Sequence, residues 1–119
     1  MTKETVLVIG LGEIGYTLFS LLNKEKSFTA YGLDLDETKM QQLSQSRNKF
    51  PSKIDTMHVC LPCSNQQNFI DEVIGYIEEF KPKLVIINST VPPGTTLKIA
   101  QRCKCLVAHS PTRGVHKSA

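Results

Sequence analysis

Apolar residues in this chain cluster in two alternating ways. Short unbroken β-rich runs occur at "TVLVIG" (5–10), "FTAYGLD" (28–34), "TMHVCLP" (56–62), "KLVIINS" (83–89) and "KCLVAHS" (104–110). Such runs read as strands buried on both faces, the mark of a parallel sheet. Between them the spacing turns helical. Ile14, Leu18, Leu21 and Leu22 fall at i, i+4, i+7 and i+8; Ile70, Ile74 and Ile77 repeat the pattern, with Phe69, Val73 and Phe80 widening the stripe. Asp36 predicts the N-cap of a helix over "ETKMQQLSQS". Ser64 or Asn65 caps a helix running to about Phe80, which Pro82 prevents from continuing, and "VPPGTTLKIAQRC" enters a fourth helix through its prolines.

The order β-α-β-α-β-α-β-α-β predicts an α/β fold: a Rossmann-type doubly wound sheet of about five mainly parallel strands, with helices on both faces. From Lys39 to Met57 there is room for one helix and "NKFPSKID" but hardly for a further strand and helix. The usual outer strand beyond the second is therefore expected to be missing or vestigial. With no internal repeat, low-complexity tract or linker, residues 1–119 read as a single dinucleotide-binding domain, and "TRGVHKSA", which lacks apolar periodicity, as a frayed tail.

Composition narrows the function classes. At 40% hydrophobic, 21% charged and net charge +3, the chain reads as an ordinary soluble protein. It has no block of five like charges and no interleaving of aromatic with basic residues, so a nucleic-acid partner is not expected. The first apolar run is too short to span a membrane and no cleavage site of small residues follows it, which predicts a cytoplasmic protein without a membrane partner. The cysteines form a C-x-x-C (Cys60, Cys63) and a C-x-C (Cys103, Cys105). Four thiolates suggest zinc, but Cys60 fits a buried strand and the gap from Cys63 to Cys103 is wide for a compact zinc module. No metal is expected, and structural disulfides are not expected in a cytosolic protein.

The candidate chemistry begins at "GLGEIG". Gly10, Gly12 and Gly15 stand as G-x-G-x-x-G directly after a predicted strand and at the opening of a predicted helix, and Asp34 closes the second strand 19 residues after Gly15. Gly10 permits the tight turn, Gly12 lets a pyrophosphate approach the backbone, and Gly15 lets the helix pack on the strand. The turn, with Glu13 and Ile14 inside it, presents a helix N-terminus to the phosphates. Glu13 must then point its acid away from them. Asp34 is placed to accept from the ribose hydroxyls, which favours NAD over NADP because a carboxylate repels a 2′-phosphate. Lys39 either supports the ribose or is a solvated helix residue. A flavin or another adenine nucleotide would satisfy much of the same motif.

Ligands on such sheets bind at the carboxyl ends of the strands. The later strands end in "LPCSN", "NSTVPPGTT" and "HSPTRG", which places Leu61, Pro62, Cys63 and Thr90 beside the proposed cofactor. Thr90 is the candidate to face the nicotinamide or a catalytic water; its alternative reading is a capping or turn threonine. His109 is a candidate proton-transfer group, Arg113 a phosphate contact, Ser110 a hydrogen-bonding group, and His58 a satisfied histidine within a strand. A G-x-S-x-G elbow is missing, which argues against Ser-His-Asp hydrolysis.

On "GLGEIG", "LDLDETK" (Asp34 and Lys39), "CLPCS", "STVPPGTT" (Ser89 to Thr96) and "HSP", the chain resembles the N-terminal NAD-binding domain of the UDP-glucose/GDP-mannose dehydrogenase family. The resemblance implies an oxidoreductase that oxidises the alcohol of a UDP- or GDP-sugar with hydride transfer to NAD, and it makes Thr90 the active-site hydroxyl. Three positions depart from the family. Thr112 stands where the family has the Glu of S-P-E, Cys63 where it often has Thr, and Glu13 where an aromatic residue is common. In the family the nucleophilic Cys, its Lys partner and the sugar-nucleotide domain lie downstream of the matching region. The resemblance thus implies the N-terminal part of a longer enzyme, inactive alone, which meets its nucleotide-sugar substrate only with that further domain. Relatives dimerise through a downstream helix, so monomer and homodimer are both open. Two other readings share features: the β-hydroxyacid dehydrogenases, with "GLGxxG" and an "ST" loop, and non-catalytic dinucleotide-sensing modules such as those that regulate potassium channels.

Overall fold

The computed structural model describes residues 3–43 and 49–111. The elements run β1 (Glu4–Ile9), α1 (Glu13–Lys24), β2 (Phe28–Leu33), α2 (Glu37–Gln42), β3 (Thr56–Val59), α3 (Gln66–Phe80), β4 (Leu84–Ile87), α4 (Thr95–Gln101) and β5 (Leu106–His109). All five strands are parallel and stand in the order β2-β1-β3-β4-β5. The chain leaves β1 toward β2 on one side and fills the other side with β3 to β5, so the order reverses between β1 and β3. In this sheet class that crevice is where ligands bind.

Alternation along the central strands sorts the core onto two faces. Leu7 and Ile9 of β1, Met57 and Val59 of β3, and Val85 and Ile87 of β4 join one cluster with Phe69, Ile70, Val73, Ile74, Ile77 and Phe80 of α3 and Ile99 of α4. Val8 of β1 and Ala30 of β2 pack on Leu11 and on Phe19 of α1. Asn65 caps α3 through its side chain, which accepts from Asn68 N, and Lys81 ends that helix in the left-handed region just before Pro82. Asp36 caps α2, accepting from Thr38 N at 2.9 Å.

Four sequence expectations need adjustment. In α1 the buried residues are Gly15 and Phe19, while Leu21 is 59% exposed. A helix turns about 100° per residue, so Leu21 points roughly away from the stripe that Gly15, Phe19 and Leu22 form. Pro92 and Pro93 do not open α4; they lie in a turn before its N-cap, Gly94, which has φ +87°. β5 is not buried on both faces: it is an edge strand and Leu106 is 73% exposed. β3 ends at Val59, and Cys60 to Pro62 form a loop instead of strand. The frayed-tail expectation for 112–119, with Thr112 and Arg113, lies outside the described residues, as does the end of the second predicted helix beyond residue 43.

Candidate functional site

The carboxyl ends of the strands are drawn level by ladder bonds that continue past the strands themselves. Gly10 N donates to Leu33 O at 2.8 Å, Cys60 N to Ile9 O at 2.8 Å, Asn88 N to Val59 O at 2.8 Å and Ser110 N to Ile87 O at 2.9 Å. Gly10, Cys60, Asn88 and Ser110 therefore form a row across the top of the sheet, from which the loops rise.

The glycine turn sits at the start of that row. Gly10 adopts φ +92°, and a Cβ there would stand 2.8 Å from Cys60 O. At Gly15 a Cβ would stand 1.7 Å from Gly10 O, so only glycine lets α1 cross the turn this closely. Gly12 differs: a Cβ there would meet nothing within 4 Å. Gly12 is also the N-cap of α1 and makes no side-chain cap bond. The positive end of the helix dipole thus faces open space beside a residue without a side chain.

Asp34 braces the turn from β2. Its Oδ2 accepts from Leu11 N at 2.7 Å and its Oδ1 from Asp36 N at 2.8 Å, while its own N–H faces Met40 Sδ at 3.3 Å. Each oxygen keeps a further lone pair for an outside donor. Lys39 lies half-buried in the short helix α2 that follows.

A cleft of about 490 Å³ opens at the point of strand reversal. Its walls are Gly12, Glu13 and Ile14 from the turn, Cys60, Leu61, Pro62 and Cys63 from the loop after β3, and Asn88, Ser89 and Thr90 from the loop after β4. The structure brings together seven of the sequence-derived site residues here: Gly12, Glu13, Ile14, Leu61, Pro62, Cys63 and Thr90. Gly10 and Gly15 lie buried beneath, shaping the turn, and Asp34 touches the turn from behind; Lys39 is not in the wall. Thr90 is exposed to the cleft, and burial pushes the half-buried Cys60 thiol up to about 11.

The loop that carries Thr90 is held by its neighbours. Ser89 Oγ donates to Val59 O at 3.2 Å, and Ser89 O accepts from His109 Nε2 at 3.1 Å. The His109 ring nitrogen that meets the loop is therefore occupied as a strut. Thr95 Oγ1 donates to Pro92 O at 2.7 Å and accepts from Gln66 Nε2 at 2.9 Å, tying the proline turn to α3. Asn88 was not singled out from sequence, yet it links three strands. Its Nδ2 donates to Ser110 O at 3.0 Å and its Oδ1 faces His58 Nδ1 at 2.8 Å, which assigns the proton to Nδ1 of His58. His58 is a satisfied strand histidine, and burial holds its pKa below the ordinary value despite the Asn88 bond and the Glu4 charge. The one available signal for Asn88 was a polar residue closing the apolar run "KLVIIN".

A larger cleft, about 700 Å³, lies at the amino ends of the strands between Lys3, Glu4, Thr5, Lys53, Asp55, Thr56, Lys83 and Leu84. Several of its polar groups bond to one another. Asp55 accepts from Thr5 N at 2.8 Å and pairs with Lys83 at 3.2 Å, which hold its carboxyl below the usual range, and Thr56 Oγ1 donates to Glu4 at 2.8 Å. The smaller cleft has the better claim to a ligand, because it combines an open glycine, a helix N-terminus and the strand-reversal point. Among the described residues no group of three or more His, Cys, Asp or Glu is placed to hold a metal ion, and no helix is long and apolar enough to cross a membrane.

Among curated proteins, the chain is similar to a UDP-N-acetyl-D-mannosamine dehydrogenase of Methanocaldococcus jannaschii, with 28% identity over an alignment of 148 positions. The alignment covers 92% of this chain and 34% of that protein, so the chain spans about a third of its relative's length. No family model matches, and no solved structure matches.

Proposed function

We propose that this chain is the NAD-binding domain of a nucleotide-sugar dehydrogenase-type oxidoreductase. The observation that carries the reading is the cleft itself. The glycine turn and the "STVPPG" loop, far apart in sequence, form two walls of one crevice at the strand-reversal point. The similarity to a dehydrogenase whose name specifies a UDP-sugar supports the same reading.

The residues present fit a dinucleotide. Gly12 leaves the backbone open where a side chain would block a pyrophosphate, and the α1 N-terminus supplies N–H donors and a positive dipole end. Asp34 holds the turn through Leu11 N and keeps lone pairs for ribose hydroxyls; its charge disfavours a 2′-phosphate. Leu61 and Pro62 give the cleft an apolar wall. Bound NAD would supply the hydride acceptor. Thr90, exposed in the cleft wall, would hydrogen-bond a reacting alcohol or a water. Glu13 also borders the cleft, and its carboxylate sets a limit on how negative a ligand can be at the mouth. The substrate class under this reading is a nucleotide-sugar alcohol, met together with a further domain.

Calorimetric titration tests this reading. NADH is expected to bind with a Kd on the order of micromolar, about −8 kcal/mol. A flat titration and an unshifted melting curve with both NAD and NADH would remove it.

A further inference from the structure

Cys103 and Cys105 lie outside the cleft, between the end of α4 at Gln101 and the start of β5 at Leu106. The chain bends at Lys104 and Cys105, which turns the two side chains toward one another. The Cys105 thiol donates to Cys103 Sγ across 3.4 Å, and Cys103 Sγ lies 3.8 Å from Cys105 O. Both are free thiols and both are partly exposed, so a small reagent reaches them; both also pack against the main core.

We propose that Cys103 and Cys105 form a redox modification site, a dithiol that closes into an intrachain disulfide on reaction with a low-molecular-weight disulfide of the glutathione class. A disulfide bond needs about 2 Å between sulfurs. The 3.4 Å contact already present leaves a short approach. The flanking cations support the choice of reagent. Arg102 and Lys104 are exposed on either side of Cys103; Arg102 pairs with Asp71 at 2.8 Å, and Lys104 offers its charge to the carboxylates of an anionic disulfide. Burial and the neighbouring sulfur push the Cys105 thiol up to about 11, and its S–H points at Cys103. The orientation of that S–H assigns Cys103 as the attacking sulfur and Cys105 as the resolving one.

The step balances as thiol–disulfide exchange. Cys103 thiolate attacks one sulfur of RSSR, forming Cys103–S–SR and expelling RS⁻. Cys105 then gives up its proton and attacks Cys103 Sγ, expelling the second RS⁻. The protein loses two electrons and two protons, and the reagent ends as two RSH. The ring is tight and has an exposed margin, so it belongs with the readily reduced disulfides and not with the structural ones. This site is independent of the NAD reading.

The test equilibrates the full chain in glutathione buffers of increasing oxidised share, quenches with acid, alkylates and maps peptides by mass. The expected result is loss of alkylation at Cys103 and Cys105 together, a mass lower by two hydrogens, and full recovery with dithiothreitol. In Cys105→Ser the reaction should stop one step earlier, with glutathione on Cys103 rising from trace in the native chain to near one per chain. Full alkylation of Cys103 and Cys105 at every buffer ratio would overturn the proposal. So would a disulfide that maps to Cys60 and Cys63 alone, or a glutathione adduct on the native chain that never closes. The native-chain measurement decides the matter even if the variant fails to fold.

Discussion

The sheet carries a cleft at each end, built from the same strands. At the amino ends, Glu4, Asp55, Thr56 and Lys83 spend their hydrogen bonds and charges on one another and on Thr5 N. At the carboxyl ends the side chains retreat. Gly12 has no neighbour where its Cβ would be, Thr90 is exposed, and the bonds that fix the loops come from behind, through Asp34, His109 and Asn88. The first cleft is the larger, yet Glu4 pairs with Thr56 and Asp55 with Lys83 within it. The second is smaller and opens beside Gly12 at the helix N-terminus. Volume alone favours the amino end; the open glycine, the helix N-terminus and the strand reversal favour the carboxyl end.

The contrast between Gly15 and Gly12 should give the largest effects, and of different kinds. Gly15→Ala drives a methyl into the Gly10 carbonyl, which stands 1.7 Å away. Backbone must move, so the melting temperature should fall on the order of 10 °C. Gly12→Val enters open space and should leave the melting temperature within a few degrees, while NADH binding drops below detection. Equal stability losses in the two variants would mean that the turn is not divided into a packing glycine and a ligand glycine.

Asp34→Ala comes next. It removes acceptors from Leu11 N and Asp36 N and, on the proposed reading, from the ribose. Lost hydrogen bonds to a charged group predict an NAD affinity weaker by about 10- to 100-fold, with a smaller loss for NADP, which the same carboxylate already disfavours. Equal losses for both nucleotides would reduce Asp34 to a brace for the turn.

At the amino-end cleft, Lys83→Met should leave NADH affinity within twofold. It removes one of the supports that hold the Asp55 carboxyl low, so stability changes by no more than about 1 kcal/mol, as for other surface pairs. A tenfold loss of NADH affinity would place the ligand at the wrong end for this account.

The smallest effect concerns His58, which joins the two regions through β3. Its pKa is lower folded than unfolded, so the unfolded chain takes up the proton first as pH falls. The stability it contributes is therefore complete above about pH 6.5 and is lost as pH drops through the lowered folded value. Thermal melts at pH 7 and pH 5 should differ by a few degrees more in the native chain than in His58→Gln. Identical pH dependence in the two would contradict burial as the dominant influence.

Much of this arrangement was readable in the sequence, and the unread parts have physical reasons. The parallel strands, the glycine turn and the loop "STVPPG" announce themselves through local patterns: unbroken apolar runs, fixed glycine spacing and clustered turn residues. Asp34 as a brace was not readable, because it depends on how β2 returns beside β1 to bring a carboxylate within 2.7 Å of Leu11 N. Asn88 was hidden for a similar reason; its three-strand role exists only once β3, β4 and β5 are adjacent. The exposure of β5 was misread because an apolar run does not distinguish a central strand from an edge. In α1 the helical template fitted two registers, and only packing on Val8 and Ala30 chose Phe19 over Leu21.

The most direct test of the central claim is amide chemical-shift mapping of the isotopically labelled chain titrated with NADH. The account predicts saturable shifts at Gly12 to Gly15, Cys60 to Cys63 and Ser89 to Thr90, with Thr5, Lys53, Asp55 and Lys83 unmoved. Shifts confined to the amino-end cleft, or none at either end at millimolar NADH, would contradict it.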